Sequence, residues 1–278
     1  MLRFGTLAGG PLPGTGQRPY VGGMLNYERR CAEIINQTSL LVSSLDGADL
    51  SIQVPSIPDW TLNQLVRHVG HAHRWADLMI REKVREIPYD RNGAQQLASY
   101  VGEKASDVVP WLLEGASSLA EALSEVDPDE MIAVIGGHPG PRVWSWRMAH
   151  ETVIHRWDVV NTLGVPFELD PEVTRDTLAE WTALALPYAF MRWPAETAPL
   201  LGPGRTVHLH ATDVDAELVI DLTGSRPVVR KGHEKAAVAL RGPVVELVLA
   251  VYRRRPVDGL EVFGDSELLD LFLDRVRF

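Results

Sequence analysis

The sequence predicts an α+β protein, an N-terminal four-helix bundle followed by a small α+β C-terminal domain. Apolar residues recur at helical spacing through the first two thirds of the chain. After Pro194, short alternating and β-branched segments replace them. The length of 278 residues suits one large or two ordinary domains. The predicted parts are a flexible extension over 1–23, the bundle over 24–165, a connecting helix over 166–194 and the α+β domain over 195–278.

Each of the four bundle helices carries its own signal. The first is predicted over 27–45 from apolar positions that include Cys31. The second begins at a T-x-x-Q capping box, Thr61 and Gln64, and runs to about residue 83. The third ends where Asp127-Pro128 interrupts it. Its apolar face comprises Val109, Leu112, Ala116, Leu119, Leu123 and Val126. The fourth follows a Gly/Pro-rich loop, Gly136 to Pro141, and runs to about Leu163-Gly164.

The residue pattern of the C-terminal segment predicts a small sheet covered by helices. A helix from Pro171 to about Met191 precedes it, and Gly202-Pro203-Gly204 opens it. Four strands are predicted, over Thr206 to Thr212, Ala216 to Leu222, Val228 to Arg230 and Ala236 to Arg241. Pro243 fits the first position of a helix that runs to about Tyr252, and Glu267 to Phe272 indicates another.

Charge and cysteine content narrow the function classes. The net charge of −10 disfavours binding to nucleic acid or to an anionic membrane. No apolar run approaches the roughly 20 residues needed to span a bilayer. The single cysteine, Cys31, permits no internal disulfide and lies at a spacing typical of a buried helix face, so we expect a core thiol in a cytoplasmic protein. Residues 1–23 contain seven glycines and three prolines, and we hypothesise that translation starts at Met24.

Ionisable residues on two helices indicate a metal site. Glu151 and His155 stand one turn apart on a stripe of the fourth helix that begins apolar. On the second helix His68 interrupts one apolar row and His73 another. If the two helices face each other, two imidazoles and one carboxylate converge, a set that suits zinc with open positions. Spacing alone leaves His68 and His73 as alternatives, and a Glu–His pair is also common on helix surfaces. His150 faces the core stripe and is interpreted as a core or supporting histidine.

Two segments carry a resemblance to a known family. They are VPSIPDWTLNQLVRHVG over 54–70 and RMAHETVIHRWD over 147–158. Together they resemble the mycothiol-dependent maleylpyruvate isomerase family, whose N-terminal domain is a DinB-like metal-binding bundle. The segments VHLHATD over 207–213 and ALRGP over 239–243 are similar to its sterol-carrier-like C-terminal domain. The resemblance extends over residues 25–275 and implies that the metal ligands are His68, Glu151 and His155.

The resemblance implies a chemistry that the residues alone do not show. A divalent metal, zinc above all, would bind the thiol of mycothiol and lower its pKa. The thiolate would then attack a small electrophile, in an isomerase or a thiol S-transferase. A C-terminal arginine would take part in catalysis by holding a carboxylate, and Arg254 is the expected one. We expect a monomer or homodimer whose partners are the electrophile and the low-molecular-weight thiol.

Two other functions stay open at this stage. A metal-dependent hydrolase would use the same ligands to activate water. A non-catalytic protein would bind metal in the bundle and a lipid-like ligand in the second domain. His208 and His210 lie on one side of a predicted strand, but no carboxylate or third imidazole is evident beside them in the sequence. They are therefore interpreted as an ordinary sheet face.

Overall fold

The computed structural model describes residues 25–86, 104–134 and 140–277. They form two compact units, one of Asn26–Glu168 and one that begins at Leu169. The helical first part and the mixed sheet of the second confirm the predicted α+β class. The expected extension over 1–23 and the start at Met24 lie outside the described residues, as does most of the loop after Gly136. The predicted domain limits stay a prediction.

The first unit is a four-helix bundle with a small hairpin. In it α1 packs against α3 and α4, and α2 packs against the same two helices. The helices are α1 (Tyr27–Ser43), α2 (Leu62–Arg81), α3 (Ala105–Glu125) and α4 (Pro141–Leu163), and the strands are β1 (Gln53–Val54) and β2 (Ile57–Thr61). The helix limits match the predicted ones within a few residues. The hairpin was not predicted, because two-residue β1 is too short to show an alternating pattern.

Local signals define the two helices that carry the candidate ligands. At the start of α2 the Thr61 hydroxyl accepts from the backbone of Gln64, and the Gln64 side chain accepts from the backbone of Thr61, which confirms the capping box. Helix α4 begins with Pro141 at its first position and ends at Gly164, whose φ of 66° is left-handed. Between Trp144 and Val160 every residue of α4 except Arg147 and Glu151 is buried, so this helix is the centre of the bundle.

The second unit is a five-stranded sheet with helices. Its strands are β3 (Thr206–Ala211), β4 (Glu217–Asp221), β5 (Val228–Lys231), β6 (Val238–Gly242) and β7 (Glu261–Gly264), in the order 5-4-3-6-7. Strands β3 and β6 run parallel, and the other neighbours are antiparallel. Its longer helices are α5 (Pro171–Glu180), α6 (Leu186–Arg192), α8 (Val244–Val251) and α9 (Ser266–Arg275), and α7 (Pro194–Thr197) is a single turn.

Three details of this unit differ from prediction. The helix expected from Pro171 to Met191 is divided into α5 and α6 by a π-helical segment, Trp181–Ala185, which a 3.6-residue pattern does not reveal. Pro243 precedes α8 as its N-cap, since its ψ of 141° is not helical. Strand β7 was missed because all four of its residues are exposed, so it lacks the alternation of a half-buried strand.

The remaining expectations concern the thiol and the membrane. Cys31 is buried in the bundle core, as predicted, and burial raises its pKa to about 11, which makes it a poor nucleophile at neutral pH. Among the described residues, no helix is both long and apolar enough to cross a membrane. The cytoplasmic location and the monomeric or homodimeric state stay predictions.

Close packing of α2 on α3 depends on Gly70. A Cβ atom at this position would lie 2.0 Å from the Trp111 ring. Overpacking costs about 1–3 kcal/mol and better helix propensity returns roughly 1 kcal/mol, so we expect Gly70→Ala to lower the free energy of unfolding by up to about 2 kcal/mol. Gly115→Ala is the matched control, because its Cβ would meet only the flexible end of Arg74. Urea unfolding monitored by circular dichroism measures the free energy of unfolding of both variants. Equal free energies in Gly70→Ala and Gly115→Ala would contradict the packing argument.

Candidate metal centre

Three side chains from two helices converge in the first unit. His68 comes from α2, and Glu151 and His155 come from α4. The Nε2 atoms of His68 and His155 lie 2.9 Å and 3.1 Å from Oε1 of Glu151. The two imidazole rings meet edge to face, with centroids 5.0 Å apart. The structure thus brings together the three residues that the resemblance proposes as ligands.

A chain of hydrogen bonds orients His155. Its Nδ1 lies 2.8 Å from Oδ2 of Asp158, which is fully buried. The other oxygen of Asp158 accepts a hydrogen bond from the hydroxyl of Ser56, in the turn between β1 and β2. Because a carboxylate oxygen accepts, Nδ1 of His155 carries a proton and donates it to Asp158, which leaves Nε2 on the side of Glu151. This is the outer arrangement that commonly supports a metal-binding histidine.

Charge and exposure define the opening of the cluster. The Arg147 guanidinium contacts Oε2 of Glu151 one turn away, which leaves Oε1 for the imidazoles. The side chains of Glu151 and His155 are 12% and 10% exposed, whereas that of His68 is 33% exposed, so a small ligand has access from the His68 side. The Trp60 ring, 4.9 Å from that of His68, forms part of the rim. Desolvation lowers the pKa of His68 to about 3, so His68 is neutral.

The other histidines of these helices do not belong to the cluster. His73 is fully buried, and its Nε2 lies 2.8 Å from the hydroxyl of Thr152. That hydroxyl donates to the carbonyl of Met148, so the His73 ring donates to it. Desolvation lowers the pKa of His73 to about 3, and it is a neutral core histidine. His150 is likewise fully buried in the core.

The donor set fits a divalent ion of the zinc class. Two neutral imidazoles and a carboxylate are the ligands of many catalytic zinc sites, which keep further positions open. Their donor atoms lie within 4.8 Å of one another. Ligands of a tetrahedral zinc at roughly 2.0–2.2 Å are about 3.4 Å apart. The distances of 2.9 Å and 3.1 Å to Oε1 of Glu151 are close to that separation.

Arg254, the expected catalytic arginine, lies in the second unit just after α8. Its Nη1 donates to the carbonyl of Tyr252 at 3.1 Å. The neighbouring Arg255 forms an ion pair with Glu246 at 2.7 Å. The function of Arg254 stays a prediction.

Three residues support the cluster without being among the predicted ligands. Asp158 follows His155 by three residues and Arg147 precedes Glu151 by four, so both stand on the face that carries the ligands. The spacing that relates Glu151 to His155 predicts Asp158 on this face, and it would also have revealed Arg147, which was missed. The contact of Ser56 with Asp158 joins residues 102 positions apart and has no local signal.

Comparison with solved structures shows the fold class. The structure is similar to two crystal structures of the mycothiol-dependent maleylpyruvate isomerase, one of which is a histidine-to-alanine mutant. Sequence identities are 16% and 17%, TM-scores are 0.59 and 0.58, and each match covers 86% of this chain and 93% of the other. The fold is therefore that of the maleylpyruvate isomerases. A search of the curated proteins finds no match to this sequence.

Family comparison covers both parts of the chain. The mycothiol maleylpyruvate isomerase N-terminal domain matches residues 31–160, and the C-terminal domain of the same family matches residues 172–271. The chain belongs to the mycothiol-dependent maleylpyruvate isomerase family. This confirms the resemblance carried by the two quoted helix segments.

The hydrogen bond from His155 to Asp158 generates a prediction on metal affinity. Asp158→Asn removes the negative charge that holds the ring, and loss of such a partner commonly weakens metal binding about 10–100-fold. We expect a weakening of this size for zinc, measured by competition with a chromophoric chelator. Asp129→Asn is the control, since this exposed acid pairs with Arg142 outside the cluster. An unchanged zinc affinity in Asp158→Asn would refute the positioning role.

Proposed function

We propose that this chain is a divalent-metal-dependent, mycothiol-dependent enzyme that acts on a small electrophile, as an isomerase or a thiol S-transferase. Zinc is the ion that the ligand set favours. The observation that carries the proposal is the convergence of His68, Glu151 and His155 in a member of the maleylpyruvate isomerase family. The three residues are the proposed ligands, and the open side near His68 is the proposed entry for thiol and substrate.

The chemistry needs a thiolate at neutral pH. Cys31 is buried with a raised pKa, so the described part of the chain offers no reactive thiol of its own. A divalent ion held by the three ligands would supply the charge that lowers the pKa of a bound external thiol. The protein would contribute the imidazoles of His68 and His155 as metal ligands, and Asp158, which accepts from Nδ1 of His155, leaves its Nε2 for the ion.

A thiol can isomerise a cis alkene without any other reagent, because the thiolate that adds to the alkene is released again at the end. The sulfur adds to one alkene carbon, the double bond becomes a single bond, and its electron pair moves onto the conjugated carbonyl of the substrate. Rotation about the new single bond is followed by elimination of the thiolate, which restores the double bond in the trans form. In an S-transferase the same sulfur attacks, but a leaving group departs and the thioether is the product.

Arg254 is proposed to bind a carboxylate of the substrate or of mycothiol. A guanidinium forms two parallel hydrogen bonds with a carboxylate, which both anchors and orients it. The support for this proposal is the family resemblance together with the position of Arg254 in a cluster of three arginines.

Removal of one ligand tests the proposed function. We expect apo wild type to take up zinc and then to bind mycothiol, and Glu151→Gln to lose zinc affinity at the bundle cluster by at least about 100-fold, more than the 10–100-fold of a supporting partner. We expect the affinity of Glu151→Gln for mycothiol to fall together with its zinc affinity. Calorimetric titration of zinc, and of mycothiol into the zinc-loaded protein, measures both. Glu114→Gln is the control, because its exposed carboxylate pairs with Arg74.

The same experiment separates the rival functions. Conversion of maleylpyruvate to its trans isomer only with zinc and mycothiol supports the isomerase, whereas thioether formation with other electrophiles supports the transferase. Zinc binding without thiol binding, with turnover of an ester or amide in the absence of thiol, would replace the proposal by a hydrolase. Absence of zinc at the bundle cluster with a co-purifying apolar ligand would replace it by a binding protein.

Substitution of Arg254 tests the carboxylate anchor. We expect Arg254→Ala to raise KM for a carboxylated substrate about 10-fold or more, since a charge-assisted hydrogen bond contributes roughly 1.5–3 kcal/mol. Its zinc content should equal that of wild type. Arg255→Ala, which removes an arginine paired with Glu246, is the control for charge. Equal KM values in the two variants would contradict the assignment.

A further inference from the structure

We propose a second divalent-metal site in the sheet of the second unit, formed by His208, His210, Glu217 and His233. From the sequence alone, His208 and His210 are expected to form an ordinary sheet face. The structure adds a carboxylate and a third imidazole, and the four donor atoms lie within 4.8 Å of one another. This site is separate from the cluster of the first unit, and it does not depend on the proposed function.

Sheet geometry places three of the four residues on one face. His208 and His210 are two apart on β3, so their side chains point to the same side. Glu217 on β4 is the direct antiparallel partner of His210. Directly opposed residues share a face, with their side chains in contact. Oε1 of Glu217 lies 3.1 Å from Nδ1 of His210.

The fourth residue comes from the end of β5. The backbone N–H of Gly232 donates to the carbonyl of Glu217, which extends the pairing of β5 with β4 by one residue. His233 follows at once, and its Nδ1 lies 2.9 Å from Oε2 of Glu217. Glu217 therefore holds His210 with one oxygen and His233 with the other.

The three imidazoles surround a common centre. Ring centroids are 5.6 Å apart for His208 and His210, 5.9 Å for His208 and His233, and 5.5 Å for His210 and His233. Donor atoms around a tetrahedral zinc are about 3.4 Å apart, and the four donor atoms here all lie within 4.8 Å of one another, so small side-chain movements would suffice. The side chain of His233 is 75% exposed and has room to make that movement.

A buried nitrogen of the cluster has no hydrogen-bond partner. His208 is 5% exposed, and its Nε2 neither donates nor accepts within the described part of the protein. Unpaired buried polar groups are costly and usually find a partner. An ion held among the four side chains would give the imidazole of His208 a partner that the protein itself does not provide.

Neighbouring charges leave Glu217 available to a cation. On β6, Arg241 is opposite His210, and it pairs with Glu261 at 2.7 Å. On β5, Lys231 pairs with Asp215 and Arg230 contacts Glu234. Each of these cations thus has a carboxylate outside the cluster, whereas the carboxylate of Glu217 faces histidines.

The ligand chemistry selects the class of ion. Three imidazoles and one carboxylate suit zinc and other imidazole-binding transition metals, whereas magnesium and calcium prefer oxygen ligands. Four protein ligands complete a tetrahedron, which is typical of a structural site. An ion bound here would join β3, β4 and the segment after β5.

Zinc binding by the full chain tests the proposal when the first site is disabled. His68→Ala removes one proposed ligand from the bundle cluster, so any tight zinc that remains reports on the second unit. We expect this variant, stripped with a chelator and titrated with zinc alone, to bind one equivalent. X-ray absorption of the bound zinc should show nitrogen-rich coordination with imidazole scattering. Binding of no zinc by His68→Ala would overturn the proposal.

Second substitutions in the same background assign the ligands. We expect Glu217→Gln and His233→Ala each to weaken the remaining equivalent by at least about 100-fold, as loss of a direct ligand exceeds the 10–100-fold of a supporting partner. Asp215→Asn, which alters a nearby exposed carboxylate paired with Lys231, should bind as before. His233 is so exposed that its loss leaves the fold intact, and circular dichroism of the apo variants checks this. Equal zinc affinity in all these variants would also overturn the proposal.

Discussion

The carboxylate of Glu151 holds the centre of the bundle together. One of its oxygens lies within hydrogen-bond distance of His68 and His155, and the other is in contact with Arg147. Ionisable groups withdrawn from water are tolerated only when they have partners of this kind. Glu151 and His68 are 83 positions apart, so their contact determines how α2 and α4 are aligned. A shift of α2 by one turn would separate His68 from Glu151, whereas His155, which is on the same helix as Glu151, would keep its contact.

Other buried polar contacts support the same alignment. The bond between His73 and Thr152 joins α2 and α4 on the core side of the cluster. The bond between Ser56 and Asp158 attaches the hairpin to α4 and orients His155. Apolar packing drives the helices together but is compatible with several registers, because Leu, Val and Ala side chains interchange with little penalty. The polar contacts are directional, and they select one register among these.

The sheet of the second unit likewise combines apolar packing on one face with polar contacts on the other. Val207, Leu209 and Ala211 on β3 are buried on one face, while His208 and His210 share the other with Glu217. The apolar face is covered by helices, as the contacts of α8 with β3 and β6 show. The polar face instead concentrates histidines around one carboxylate. Both units therefore contain a group in which imidazoles surround a glutamate.

The sequence by itself determined the fold class, the positions of the four bundle helices and the pairing of Glu151 with His155. These features depend on periodicity, caps and prolines, whose effects extend over a few neighbouring residues. Spacing left His68 and His73 as alternatives, and the resemblance carried by residues 54–70 favoured His68, which the structure places beside Glu151. Tertiary structure alone decided two other contacts between distant segments: the support of Asp158 by Ser56, and the position of His233 beside His210. Each contact depends on how two elements are aligned, which is set by the summed packing and hydrogen bonding of the folded chain, and no local pattern encodes it.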